Sequence, residues 1–188
     1  MVQPIFRQVI KRTYDDFAAI PPDLLRWELI EGEFFMSPAP TSMHQMIVLR
    51  LARVFAAALD DAGRARTFVA PFDVILSRFN TVEPDLVVIK TENAGRISKR
   101  GLEGAPDLVV EVLSPSTRLQ DANLKRALYA KFEVPEYWLV DPDARTVEVL
   151  IHTGDGYGQH AVFEGDATAC SNLFHDIAVP LATLFAEI

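Results

Sequence analysis

Asp107-Leu-Val-Val-Glu-Val-Leu113 reads as a short apolar strand with one acid, Glu111, in its middle. Leucine and β-branched neighbours on both sides predict burial on at least one face of a sheet. A carboxylate buried without compensation is costly or is driven to protonate. Glu111 therefore calls for a protein cation, a metal ion or a water-filled cleft. The first two belong to functional sites.

The pentapeptide Pro-Asp-Leu-Val-Val opens this strand at Pro106–Val110 and occurs once before, at Pro84–Val88. Asp85 thus stands at the mouth of an earlier strand. Strand parity puts Asp107, Val109 and Glu111 on one face. If the two strands are neighbours, Asp85 and Glu111 converge at one end of the sheet. Paired carboxylates repel, and an oxygen-liganded Mg²⁺ or Mn²⁺ is the usual way to hold both ionised. Lys125 lies on the next helix, with Tyr129 one turn on along the same face. A lysine aimed at such a site can orient a water and offset charge on a pentavalent phosphorus. A helix-capping Asp85 and a surface Lys125 would be the purely structural alternative.

Around this pair the chain reads as one mixed α/β domain over residues 1–188. Thr13-Tyr-Asp-Asp16 has capping-box spacing and opens a short helix that Pro21-Pro22 ends. Arg26–Met36 is a hairpin turning at Glu31-Gly32. Thr41 or Ser42 caps a long helix reaching about Ala62, closed by Gly63, with Ile47, Leu51, Val54, Phe55 and Ala58 as its apolar stripe. From Thr67 the period becomes two, and Phe68, Ala70, Phe72, Val74 and Leu76 share a strand face. Thr91–Gly104 is polar and basic and reads as a mobile loop. Asp121 caps a helix ending near Lys131. Glu136–Asp141, Arg145–Thr153 and Tyr157–Phe163 are further strands, and Leu181–Glu187 is a terminal helix.

The 188 residues are 49% hydrophobic, with two Trp and twelve Phe, enough for a full core. Apolar runs fall short of the roughly 20 residues of a membrane span. The first residues lack the pattern of a signal peptide. Cys170 is the single cysteine and reads as an inert thiol, which suits a reducing, cytoplasmic setting. The net charge of −8 argues against binding nucleic acid through a generally basic surface. A local patch would have to come from Lys90, Arg96, Lys99, Arg100, Arg118, Lys125, Arg126 and Lys131, most of which read as solvated charge.

The order Pro84-Asp85, Glu111, helix resembles the PD-(D/E)XK nuclease pattern, and more closely the putative restriction endonuclease (Uma-type) family within that superfamily. The likeness rests on Trp27-Glu-Leu-Ile-Glu-Gly-Glu33, Ser37-Pro-Ala-Pro40 with His44, Pro84-Asp85 and Gly104–Thr117. Asp121, Lys125, Tyr129 and Glu136-Tyr-Trp-Leu-Val-Asp141 complete it, over about residues 10–188. It implies a restriction-endonuclease-like mixed sheet with an αβββαβ core, an N-terminal hairpin and extra C-terminal strands. It also implies hydrolysis of phosphodiester bonds dependent on Mg²⁺ or Mn²⁺, with nucleic acid as partner, DNA ahead of RNA, and a 5′-phosphate product.

Carried over by motif, the site residues are Asp85 and Glu111 as metal ligands, Lys125, Glu28 and His44; Asp107, on the Glu111 face by strand parity, is a weaker candidate for support. The superfamily pattern has a lysine two residues after the acid. Here that residue is Leu113, which cannot orient water, so the role passes to Lys125. Glu28, Glu31 and Glu33 alternate along the hairpin as surface acids, and Glu28, between Trp27 and Leu29, is the one to point inward. His44 is either a cap or core hydrogen-bonder, or a contact to phosphate or bound water. A homodimer fits a duplex cut on both strands.

A non-catalytic module of the same fold, serving interaction or regulation, is the other reading. The acidic charge and Leu113 favour it, while Asp85, Glu111 and Lys125 speak against it. Ser114-Pro-Ser-Thr117 lacks a nucleophile elbow and reads as a strand-to-helix turn. There is no phosphate-binding loop or dinucleotide fingerprint. His152, His160 and His175 lack metal-ligand spacing.

Overall fold

The computed structural model describes residues 10–21, 25–114 and 120–187. The helices are α1 (Tyr14–Ala18), α2 (Ser42–Phe55), α3 (Arg126–Lys131) and α4 (Leu181–Leu184). The first strands are β1 (Arg26–Ile30), β2 (Glu33–Ser37), β3 (Ala65–Val69), β4 (Val74–Ser77), β5 (Asn80–Val82), β6 (Leu86–Lys90) and β7 (Ile97–Ser98). They are followed by β8 (Gly101–Glu103), β9 (Leu108–Val112), β10 (Glu136–Asp141), β11 (Thr146–His152), β12 (Tyr157–Phe163), β13 (Thr168–Cys170) and β14 (Ala178–Pro180).

The central sheet runs β12-β11-β10-β9-β6-β3. In it β6 is antiparallel to β3 and β9, and β9 is parallel to β10. With α2 before β3 and α3 between β9 and β10, this is the expected αβββαβ core. A second sheet, β2-β1-β5-β4-β8-β7, incorporates the N-terminal hairpin. Glu31 and Gly32 both have positive φ, 52° and 82°, the turn geometry whose twist suits a two-residue hairpin.

The two faces of the central sheet are covered differently. Val110 and Val112 of β9 face Ile47, Leu51 and Phe55 of α2, while Val109 faces Tyr129, Leu128 and the second sheet's Ile30, Val74 and Leu102. Thr41 caps α2 by accepting from the His44 amide at 3.2 Å. The helix continues through a wider π-type turn, Ala56–Asp60, and the chain reverses at Gly63 with φ +68°. Ser42–Asp60 is long and apolar enough to cross a bilayer by length and composition alone. Its Ile47, Leu51, Phe55 and Leu59 are instead fully buried in the core, each contributing about 1.5–3 kcal/mol.

Two expectations are corrected. The alternating run from Thr67 to Leu76 is two strands in different sheets, β3 and β4. Pro71 lies between them, and its missing N–H cannot serve a continuous ladder. Thr91–Gly104 is a short 3₁₀ helix (Thr91–Arg96) followed by β7 and β8. Leu102 donates to the Asp73 carbonyl at 2.9 Å, and a Cβ on Gly101 would fall 2.1 Å from that oxygen. Glycine lets the two backbones meet.

Candidate active site

The pairing of β6 with β9 decides the site. Leu86 is opposite Val110, so Asp85 and Glu111, the next residue on each chain, stand at the same end of the two strands. Both carboxylates are buried, Asp85 at 4% exposure and Glu111 at 2%. Asp85 Oδ2 accepts from the Val112 amide at 2.8 Å and lies 3.0 Å from His44 Nε2. His44 stands in the first turn of α2, so the Thr41 cap that starts the helix also aims the imidazole. His44 Nδ1 is buried with no hydrogen-bond partner among the described residues. Burial pushes the Asp85 carboxyl up, but His44, the Arg26 guanidinium and the Val112 amide outweigh it and hold it below the usual value.

Lys125 closes the other side. It ends a wide helical turn, Gln120–Lys125, that runs into α3. Its Nζ is 3.0 Å from Glu111 Oε1 and 2.9 Å from Glu28 Oε1. Tyr129, four residues on along the same helical face, donates its hydroxyl to Glu111 Oε1 at 2.7 Å. Burial and the neighbouring Glu111 and Glu28 drive the Tyr129 hydroxyl well above its ordinary pKa, so it stays protonated and acts as a hydrogen-bond donor. Glu28 Oε1 also accepts from the Glu83 amide at 3.0 Å, tying β1 to the segment that leads into Asp85. Of the three hairpin acids Glu28 is the buried one, at 2% exposure. Glu31 pairs on the surface with Lys131 and Lys11.

Arg26 and Glu83 also belong to the site, although no sequence motif marks them. Arg26 donates through Nη1 to Asp85 Oδ1 at 3.3 Å, through Nε to Glu83 Oε2 at 3.4 Å, and through Nη2 to the Glu83 carbonyl. Burial works against its charge, yet Asp85, Glu111, Glu28 and Glu83 together raise its pKa. Burial also raises the Glu83 carboxyl to about 7, with Asp73 adding to the rise against Arg26. The one sequence clue was the Arg-Trp-Glu alternation in β1, which sends Arg26 and Glu28 to one face.

Other candidates have different roles. Asp107 stands at the opposite end of β9, about 13 Å of strand from Glu111. Its oxygens accept from the Lys90 amide at 2.8 Å and from Asn93 Nδ2 at 2.9 and 3.1 Å. This places the 3₁₀ segment and corrects the supporting role. The proposed basic patch is largely spoken for: Lys131 pairs with Glu31, Arg100 with Glu103, and Arg96 donates to the Ala105 carbonyl. Glu136 is a structural acid, accepting from Trp138 Nε1 at 2.6 Å and the Leu173 amide at 2.7 Å. The Asp121 side chain, Pro22, Arg118 and the Pro115–Thr117 turn lie outside the described residues.

Among the described residues no set of three or more His, Cys, Asp or Glu side chains could hold a metal ion. Mg²⁺ does not need one, since it retains several waters and is commonly held by one or two carboxylates. Glu28, Glu83, Asp85 and Glu111 face two described cations, Arg26 and Lys125. The carboxylate oxygens of Asp85 and Glu111 are hard donors of the kind Mg²⁺ takes.

An αβββαβ sheet with acids at one end of adjacent strands, one of them met by a helix-borne lysine, is the restriction-endonuclease-like class. A solved structure, that of a putative nuclease belonging to DUF820 from Anabaena variabilis ATCC 29413, shares the fold with a TM-score of 0.78 at 24% identity. The likeness covers 93% of this chain and 97% of that one. No curated protein matches the chain. The family model of Uma2, described as "Putative restriction endonuclease", matches residues 14–182, and the chain belongs to that family.

Proposed function

We propose that the protein is a divalent-metal-dependent endonuclease acting on DNA, with Asp85 and Glu111 as the metal ligands. The observation that carries this reading is that Asp85 and Glu111 stand at the same end of the paired strands β6 and β9, next to the Leu86–Val110 pair, with Lys125 bridging Glu111 to Glu28. A bound Mg²⁺ or Mn²⁺ would polarise the scissile phosphate and lower the pKa of an attacking water.

The protein groups divide the remaining work. Lys125 orients the water and offsets negative charge developing on the phosphoryl oxygens. Tyr129 and Glu28 position Lys125 and Glu111 relative to one another. His44 and the Val112 amide hold one oxygen of Asp85, which fixes the direction of the other. His44 thus acts through Asp85, in place of the phosphate contact open to it from sequence. The product carries a 5′-phosphate, and a two-fold dimer would supply a second site for the other strand.

The test is incubation of supercoiled plasmid and of a matched RNA with the purified protein and Mg²⁺ or Mn²⁺. Nicking of DNA that EDTA stops is the expected result. Cleavage of RNA alone would move the substrate, and no cleavage of either with any divalent ion would favour the non-catalytic module.

A further inference from the structure

We propose that Arg26 is a resident counter-ion of Asp85 that leaves when a divalent cation binds, and that its freed guanidinium then clamps the scissile phosphate. The inference rests on the nuclease reading above and adds a substrate-positioning residue to it.

Asp85 presents two unlike oxygens. Oδ2 is fixed by the Val112 amide and His44, at 2.8 and 3.0 Å. Oδ1 faces Arg26 Nη1 at 3.3 Å. Arg26 therefore covers the oxygen that the fixed geometry leaves for a metal. That contact is longer than the roughly 2.7–2.9 Å of a strong charge-assisted bond, as is the 3.4 Å reach of Nε to Glu83. The donation from Nη2 to the Glu83 carbonyl involves neither oxygen of Asp85. It can stay in place as a tether while Nη1 turns away.

The two cations of the cluster also differ in freedom. The Lys125 side chain is 4% exposed and held between two acids, whereas the Arg26 side chain is 24% exposed at the solvent edge. Metal charge on Asp85 removes the main attraction holding Nη1 in place. A planar guanidinium released at the rim matches the paired oxygens of a phosphate. Before the cation arrives, Arg26 offsets the repulsion among Glu28, Glu83, Asp85 and Glu111.

Mn²⁺ calorimetry without nucleic acid, paired with plasmid nicking at saturating Mn²⁺, tests the proposal on wild type, Arg26→Gln and Arg26→Lys. Loss of a cation competing at Asp85 should tighten Mn²⁺ binding by Arg26→Gln about tenfold or more. Loss of a phosphate contact should slow its nicking about a hundredfold. Arg26→Lys should bind Mn²⁺ much as wild type does but nick more slowly, since its charge remains and its fork is gone. It also covers the case in which Arg26→Gln fails to fold. Equal or weaker Mn²⁺ binding by Arg26→Gln, with wild type binding normally, overturns the counter-ion role and leaves the nuclease reading standing. Tighter binding with undiminished nicking overturns the phosphate clamp. Absence of Mn²⁺ binding in all three proteins overturns both this proposal and the nuclease reading.

Discussion

Lys125 Nζ sits 3.0 Å from Glu111 Oε1, so the acid in the middle of β9 is met by a cation from the helical segment that follows it. The same ammonium is 2.9 Å from Glu28, and one lysine thereby joins the hairpin, the central sheet and the helix. The sequence alone suggested carboxylates repelling one another until a metal arrives. The structure revises that picture, because protein cations already lie between them.

Lys125→Ala removes the cation that two buried acids share. Losing one partner of a buried ion pair costs about 3–5 kcal/mol, and urea denaturation of the metal-free protein should show a loss of that size. Glu111→Gln should cost less, since Lys125 keeps Glu28. A smaller loss in Lys125→Ala than in Glu111→Gln would mean that Lys125 is not the organising cation.

Tyr129→Phe deletes one hydroxyl and leaves the ring that packs edge-on against Tyr137 with centroids 5.2 Å apart. The 2.7 Å bond to the Glu111 carboxylate is lost, at a cost of about 1.5–3 kcal/mol for a hydrogen bond to a charged group. In the Glu111→Gln background the same change should cost clearly less, and a double-mutant cycle by chemical denaturation measures the difference.

Stability should depend on pH through Glu83. Its carboxyl is raised in the fold from 4.5 to about 7, so between those values the folded chain holds a proton that the unfolded chain has released. Linkage then makes this group's contribution fall as pH rises through that window, with no penalty below it and the full penalty above it. Asp73→Asn removes a charge that raises the Glu83 pKa, so it should flatten the fall. Urea titrations from pH 4 to pH 8 on both proteins decide this. An unchanged slope in Asp73→Asn would rule out the coupling.

Glu136 offers a contrast with the site acids. Both its oxygens serve structure, at Trp138 and Leu173. Glu136→Gln should lower stability and disturb Trp138 fluorescence while nicking per folded molecule stays near wild type. A specific loss of nicking at full stability would place Glu136 in the reaction.

The sequence exposed what is local and hid what only tertiary pairing creates. The α2 stripe, the Thr41 cap and the Glu31-Gly32 turn follow from period and turn chemistry. The repeated Pro-Asp segments pointed to two strands and their acids, and the β6–β9 pairing makes those strands neighbours. Pro71 was the signal against one strand through Thr67–Leu76, and alternation on both sides of it masked that signal. Arg26 and Glu83 lie far apart in the chain and meet because β1 pairs with β5, Leu29 opposite Thr81. No spacing rule connects them. Asp107 shared the parity of Glu111, but parity specifies a face and says nothing about which end of the strand matters.

The most direct measurement is metal-dependent nicking by wild type, Asp85→Asn and Glu111→Gln, at equal folded concentration with Mn²⁺ in excess. Wild type should nick in Mn²⁺ and stop in EDTA, and each variant should lose about a hundredfold or more in rate, because either removes charge from the metal site. Nicking at wild-type rate by Asp85→Asn and Glu111→Gln, or nicking that persists in EDTA, would contradict the assignment of these two acids as the catalytic metal ligands.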